Sequence, residues 1–343
     1  MNIRKATAEA PSNLAFVKYW GKRDPKLNIP LNNSISVNLS NATTTTTVEF
    51  DDGLERDEII VDSNSQPGAS FSRRVIGHLD RVRDMAGVYS KARVTTVNNF
   101  PMGIGIASSA SGFAALTVAA TAALKIELSQ QEMSSLARLG SGSACRSIPD
   151  GFVEWVGGHD HQSSHAVEIA PPNHWDMAIV SIIVNKAEKK LSSSDGQALA
   201  AQNPYMEVRQ RLLPKRLEIV RSSILQRAFD DFGKEVELDA VSFHAIAMTS
   251  PFMADGAWHS GAYYWAPETI EIIHAVQEWR AGGVGVYFTI DAGATVHLIC
   301  PGSDLNRVSS LAADLQSAKA DRRWQLITNR PAQGARVIAV GEA

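Results

Sequence analysis

Residues 113–124 read FAALTVAATAAL, and this nearly all-apolar stretch constrains the fold more than any other. It is too rich in alanine for a strand and so predicts a helix. A helix apolar on every side has no face to offer water and must lie buried between other layers. It is interrupted by Thr117 and Thr121 and falls short of the ~18 uninterrupted apolar residues of a membrane span, so no membrane partner is expected. Of the 343 residues 44% are hydrophobic and 20% charged, which excludes disordered, collagen-like and fibrous classes. This length suggests two domains or one large one. The 33 basic residues against 36 acidic ones leave a net charge of -3, without the basic excess of a nucleic-acid binder. The opening MNIRKATAEAPSN lacks the apolar core of a secretory signal, and Cys145 and Cys300 alone cannot build a disulfide framework. Both observations point to a cytoplasmic, thiol-permissive setting.

Periodicity supplies the other elements. Residues 37–61, rich in Thr and Val and broken at Asp51-Asp52-Gly53, predict a hairpin of half-exposed strands. An amphipathic surface helix is expected over 71–85, with arginines opposite Val75, Ile76, Leu79 and Val82. Strands are expected over 92–97, 152–156, 177–184, 284–290 and 296–299, and near Val337, with a helix over 305–315. Residues 204–232 predict two helices joined or kinked at Pro214. Strands and helices mix without strict alternation, which favours an α+β fold.

Four segments carry possible chemistry. Residues 101–112, PMGIGIASSASG, run into the apolar helix; Gly103 and Gly105 let backbone approach a ligand, and Ser108, Ser109 and the helix start offer donors to an anion. This is neither a Walker A loop nor a nucleophile elbow, and a capped helix after a tight turn would read the same way. In GSGSACR, residues 140–146, small residues crowd around Arg146, which suits either a rigidly held guanidinium beside an anion or a surface ion pair after a helix cap. Lys18, Lys22 and Arg23 beside Tyr19 and Trp20 suit a small anion or an exposed basic turn. Asp291, between two strand patterns, is placed for a general base or a structural turn. His159-Asp160-His161 lacks a partner cluster and reads as a solvated loop. The basic run 186–190 beside Ser192, Ser193 and Ser194 reads as a solvated face or a pocket rim.

Taken together, NLAFVKYWGKRDPKLNIPLNNSISVNL, NNFPMGIGIASSASGFAAL, GSGSACRS, KKLSSSDG, PKRLEIV, FHAIAMTSP and FTIDAG resemble the mevalonate phosphate and diphosphate decarboxylases of the GHMP kinase superfamily. The resemblance implies an N-terminal lobe like the second domain of ribosomal protein S5 (residues 1–185) and a ferredoxin-like C-terminal lobe (186–343), with the site between them. It also implies ATP and Mg²⁺, a small-molecule substrate and a homodimer. By position, Asp291 would deprotonate or align the substrate 3-hydroxyl, Arg146 would hold the carboxylate, Asn13 would fix Arg146, and Lys18 would place charge near the transferring phosphoryl. Met102, Gly103, Gly105, Ala107, Ser108 and Ser109 would wrap ATP, with the metal near Ser109. Tyr19, Lys22, Ser141 and Ser143 would meet the substrate phosphate, with Ser193 on the rim.

Three features point to mevalonate 5-phosphate as the substrate. DAGATVH stands where the diphosphate enzymes typically show DAGPN, YYWAPETIEII is similar to the monophosphate enzymes, and His78 and Ser194 align where some diphosphate enzymes carry arginines. The alternatives are mevalonate 5-diphosphate, a 3-hydroxyl kinase that does not decarboxylate, and a non-catalytic binding protein.

Overall fold

The computed structural model describes residues 4–62, 68–100, 108–184, 191–319 and 322–341. The chain opens with β1 (Arg4–Val17), the short pair β2 (Lys22–Asp24) and β3 (Ile29–Pro30), the long β4 (Ser34–Asp51) and β5 (Glu58–Val61). Next come α1 (Ala69–Ala86), β6 (Lys91–Asn98), α2 (Ser108–Ala123), α3 (Gln130–Gly140) and a 3-10 turn, Gly142–Ser147. β7 (Phe152–Val156), β8 (His165–Ala170) and β9 (Met177–Ile183) lead into α4 (Ser193–Ala200), α5 (Met206–Gln226) and α6 (Phe229–Met248). A small pair, β10 (Phe252–Ala254) and β11 (Ala257–His259), precedes α7 (Pro267–Ala281), β12 (Tyr287–Ile290) and β13 (Val296–Pro301). The chain closes with α8 (Leu305–Ser317), β14 (Gln325–Asn329) and β15 (Arg336–Gly341).

Among the described residues there are two main sheets. The first runs β15-β1-β4-β6-β5, with β7 continuing from the far half of β4 to β8. The second is antiparallel, β12-β13-β9-β14. The expected lobe division at 185/186 falls just after β9, whose partners all lie beyond it, while β15 crosses back to pair with β1.

The threonine run lies in β4 with its side chains alternating in and out, as period-2 geometry requires. Thr44 and Thr46 are buried, and hydroxyl pairs join Thr46 to Thr96 at 2.9 Å, Thr7 to Thr47 at 2.9 Å and Thr44 to Ser111 of α2 at 2.6 Å. The expected hairpin over 37–61 does not form. β6 pairs antiparallel with β4 and parallel with β5, so it lies between them, and the Asp51–Asp57 turn leads β5 past β4 rather than back onto it.

The apolar helix is α2, buried all round as expected, and it packs in one cluster with Ala6, Ala8 and Ala10 of β1. Alanines on both surfaces let helix and sheet approach closely. A second cluster joins the sheets. Leu14, Phe16 and Val37 of the first meet Met177 and Ile179 of the second through Leu213, Leu217 and Val220 of α5 and Phe232 and Val236 of α6. Pro214 does not divide the helical region. α5 runs through it as one helix and ends twelve residues later at Gln226, after which Arg227 adopts φ 58° and starts the turn to α6. Packing of Leu213 and Leu217 in the shared core offsets the hydrogen bond that Pro214 cannot donate.

Candidate active site

The site lies where the two sheets face each other, in a cleft of about 460 Å³. β1 supplies its floor. The pairing of β1 with β4 is irregular between Pro11 and Asn13 and again between Ala15 and Val17. Such bulges re-aim side chains near a strand end, and here Asn13 and Lys18 both reach the cleft. Arg146 comes from the 3-10 turn, Asp291 from the turn after β12, Ser193 and Ser194 from α4, and Ser108 and Ser109 from the first turn of α2.

Asn13 and Arg146 form a fixed unit. Arg146 donates from Nε and Nη2 to Asn13 Oδ1 at 3.1 and 2.9 Å, and from Nη1 to Ser34 Oγ at 2.8 Å. The Asn13 amide donates onward to Ser147 Oγ at 2.8 Å and to the Ser143 carbonyl at 3.1 Å. These partners are neutral, so the buried guanidinium keeps its full charge for a ligand; it is no surface ion pair.

Lys18, only 3% exposed, pairs with Asp291 at 2.5 Å and donates to the Ala15 carbonyl at 2.7 Å. Burial draws the Lys18 ammonium below its usual range, and Asp291 and Asp239 restore only part of that. Burial pushes the Asp291 carboxyl up, but Lys18, Arg146 and, in the acid range where it is protonated, His297 outweigh it and hold it below the ordinary carboxylate value. Asp291 is therefore an ionised acceptor of low basicity. His297, wholly buried beside this pair, meets Ser181 Oγ at 2.8 Å, and burial takes it down to about 4, so it is neutral at pH 7.

The remaining expected residues divide. Tyr19, Lys22, Ser108, Ser109, Ser141, Ser143, Ser193 and Ser194 all line the cleft, and Ser141 Oγ donates to Ser109 Oγ at 3.3 Å. Met102, Gly103, Gly105, Ala107 and the run 186–190 lie outside the described residues. His78 is not in the cleft. It faces the core beside Val75, Leu79 and Val82, meets Thr117 Oγ1 of α2 at 2.8 Å and sits edge-on to Phe113.

The cleft face of α1 is instead Arg74, Gly77 and Arg81, at i, i+3 and i+7. Arg74 donates to the Gly140 carbonyl at 3.0 Å, and its charge, after burial, helps pull the Lys22 ammonium down. Among the described residues, seven basic side chains line the cleft, against Asp291 as its one acid. The helical spacing of the arginines along α1 carried a signal for Arg74 that the alignment at His78 did not.

A cationic cleft with a low-basicity acid and a fixed arginine suits positioning and charge neutralisation of a phosphorylated carboxylate. Residues 10–166 match the diphosphomevalonate decarboxylase-like N-terminal domain, and residues 179–337 match the mevalonate 5-diphosphate decarboxylase C-terminal domain. The chain belongs to the diphosphomevalonate decarboxylase family. Its fold is the GHMP kinase fold, and it is an ATP-dependent decarboxylase of the mevalonate pathway.

Within this decarboxylase family, the chain is 34% identical to the diphosphomevalonate decarboxylase of Ganoderma lucidum, over 91% of this chain and 82% of that one. It is 32% identical to the phosphomevalonate decarboxylase of Haloferax volcanii, over 90% and 92%. The crystal structure of the mevalonate diphosphate decarboxylase of Staphylococcus aureus superposes with a TM-score of 0.89 at 32% identity, covering 98% of both chains. A relative solved in complex with MVAPP, AMPPCP and magnesium gives 0.87 at 31%, covering 98% of this chain and 99% of that one.

Proposed function

We propose that this decarboxylase acts on mevalonate 5-diphosphate, with ATP as phosphoryl donor. Asp291 accepts the hydrogen bond of the substrate 3-hydroxyl and aims its oxygen at the γ-phosphorus; as the new O–P bond forms, the bond from the γ-phosphorus to ADP breaks, ADP leaves and the hydroxyl proton passes to Asp291. A weak base suffices because phosphoryl transfer passes through a loose transition state that needs little nucleophile activation. Lys18 lies against the developing charge, and the start of α2 at Ser108 and Ser109 faces the transferred group. In the second step the bond between the carboxyl carbon and C2 breaks and its electron pair becomes the C2–C3 double bond. The C3–O bond breaks with its electron pair leaving on phosphate, carbon dioxide is released, and isopentenyl diphosphate remains. Arg146 grips the carboxylate without giving it a proton, so the electron pair stays available.

Magnesium, when bound, would neutralise the phosphate charge. Among the described residues no group of three His, Cys, Asp or Glu side chains could hold it alone. We place such an ion largely on phosphate oxygens, with Ser109 beside it.

The observation that carries the diphosphate reading is that Arg74 and Lys22 both line the cleft, close enough for the Arg74 charge to lower the Lys22 pKa. Two desolvated cations side by side suit two phosphate groups better than one. Mevalonate 5-phosphate is the second reading, favoured by Ser194 in the α4 wall where some diphosphate enzymes carry an arginine, and by the likeness to the Haloferax enzyme. The test is ATP-dependent carbon dioxide release from both substrates. We expect kcat/KM to favour the diphosphate at least tenfold, about 1.4 kcal/mol, and Arg74→Met to erase most of that preference. A tenfold preference for the monophosphate overturns the reading.

The same proposal includes a cytoplasmic homodimer. Exposed apolar side chains on the packed pair α5 and α6, Val208 and Leu212 with Leu238 and Val241, support self-association. Sedimentation equilibrium at micromolar concentration checks it.

A further inference from the structure

Asp239 lies in the middle of α6 with no exposed surface, and nothing in the sequence marks it out. Its Oδ2 accepts a hydrogen bond from the Lys18 backbone N–H at 2.7 Å. Arg209 of α5 pairs with the same carboxylate at 3.0 Å and donates to the Lys18 backbone carbonyl at 3.3 Å, a carbonyl that also accepts from Asn32 Nδ2 at 3.0 Å. Both peptide groups of Lys18 are therefore held by side chains from distant elements. Its ammonium is held separately by Ala15 and Asp291. Arg216 also reaches Asp239, at 3.3 Å, but its other partners are Glu235 and Ser242, and it makes no hydrogen bond to Lys18.

Burying a carboxylate and an arginine takes several kcal/mol of desolvation, and well-packed apolar residues would often be as stable. This pair does something apolar residues cannot, because it grips a backbone at its donor and its acceptor together. We propose that Asp239 and Arg209 are positioning residues that fix the Lys18 turn, and so the Lys18–Asp291 pair, against the transferring phosphoryl. The inference rests on the role given to Lys18 above and is independent of substrate chain length.

The groups that face Lys18 are Asp291 after β12, Asp239 and His244 of α6, Arg209 of α5, Arg146 of the 3-10 turn and His297 of β13. Of these, Asp291 and Asp239 raise its pKa. Asp239→Asn keeps an oxygen acceptor but removes one of the two negative charges. Its alkaline limb of kcat/KM should move to lower pH. Asp239→Glu keeps the charge but misplaces it, and should lower kcat with the limb unmoved.

The experiment measures kcat, KM, the pH profile and Tm for Asp239→Asn, Asp239→Glu, Arg209→Gln, Arg216→Gln and Lys18→Met, with both mevalonate 5-phosphate and 5-diphosphate. We expect kcat about 10- to 100-fold lower in the Asp239 and Arg209 variants, the scale of a sub-ångström to 1 Å misplacement, with ATP affinity little changed. Arg216→Gln should lower Tm while keeping kcat within about twofold, since it weakens the same network without touching Lys18. If Asp239→Asn does not fold, Arg209→Gln against Arg216→Gln decides alone. Equal kcat in those two variants, or loss of Tm with kcat and the limb unmoved, overturns the proposal. Wild-type kcat in Lys18→Met overturns the Lys18 role and the positioning with it. An inactive Lys18→Met beside wild-type Asp239 and Arg209 variants overturns the positioning alone.

Discussion

At the scale of single residues the chemistry turns on how a few charges are held. Asp291 is ionised because Lys18 at 2.5 Å, with the Arg146 charge, outweighs the effect of burial. Replacing it with Asn removes the aligning acceptor, and kcat should fall by about 10²–10⁴ while ATP affinity stays near the wild-type value. Single-turnover phosphoryl transfer with a separate nucleotide titration checks both halves, and retained turnover or lost nucleotide binding would remove Asp291 from its role. Its depressed pKa also has a sign. The ionised form persists below the ordinary carboxylate range of about 3.9, so loss of activity between pH 6 and 5 should not come from Asp291. An Asp291-dependent acid limb in that interval, seen in kcat/KM, would contradict the ion pair.

Element-scale features explain how those residues meet. The bulges in β1 turn Asn13 and Lys18 toward the cleft, and the bond from Thr44 to Ser111 pins the start of α2 to β4. α6 lies close on the second sheet because Gly233 has no side chain. A Cβ there would stand 2.0 Å from the Tyr287 ring, which is itself held by Arg280 over its face at 4.4 Å and by Phe229 edge-on. Gly233→Ala should destabilise the fold by about 1–3 kcal/mol, and because α6 carries Asp239 it should also loosen the Lys18 turn. Urea unfolding measures the first effect. A neutral substitution would mean that α6 can shift away from β12 without loss.

For the whole molecule, three histidines link stability to pH. His78 and His244, taken down to about 3, and His297, to about 4, are buried and neutral, each because burial penalises the charged form. In the unfolded chain each binds a proton near pH 6.5, so below that value the unfolded state holds protons the native state does not. Stability should fall as pH drops from 6.5 toward 4, by up to about 1.4 kcal/mol per pH unit per histidine. Denaturant midpoints at pH 7 and pH 5 check the direction. His78→Gln, far from the cleft and bonded to Thr117, should flatten the slope without changing kcat.

The sequence alone determined what local pattern and residue type can determine. An all-apolar alanine-rich stretch had to be a buried helix, a run of β-branched threonines favoured a strand, and seven motifs in order marked the family. Patterns within one element survive folding because the period of a helix or strand is a local property. What the tertiary structure decided was adjacency. Nothing local says that β6 enters between β4 and β5, or that α5 runs on through Pro214, because packing partners outweigh a turn signal or a lost hydrogen bond. The expectation of a monophosphate substrate leaned on His78, but the rotation of α1 against α2 buries His78 and brings Arg74 to the cleft. Asp239 and Arg209 meet Lys18 across separations of 221 and 191 residues. A contact made across that distance leaves no spacing in the chain to read, since only the packing of α5 and α6 against the end of β1 brings those groups together.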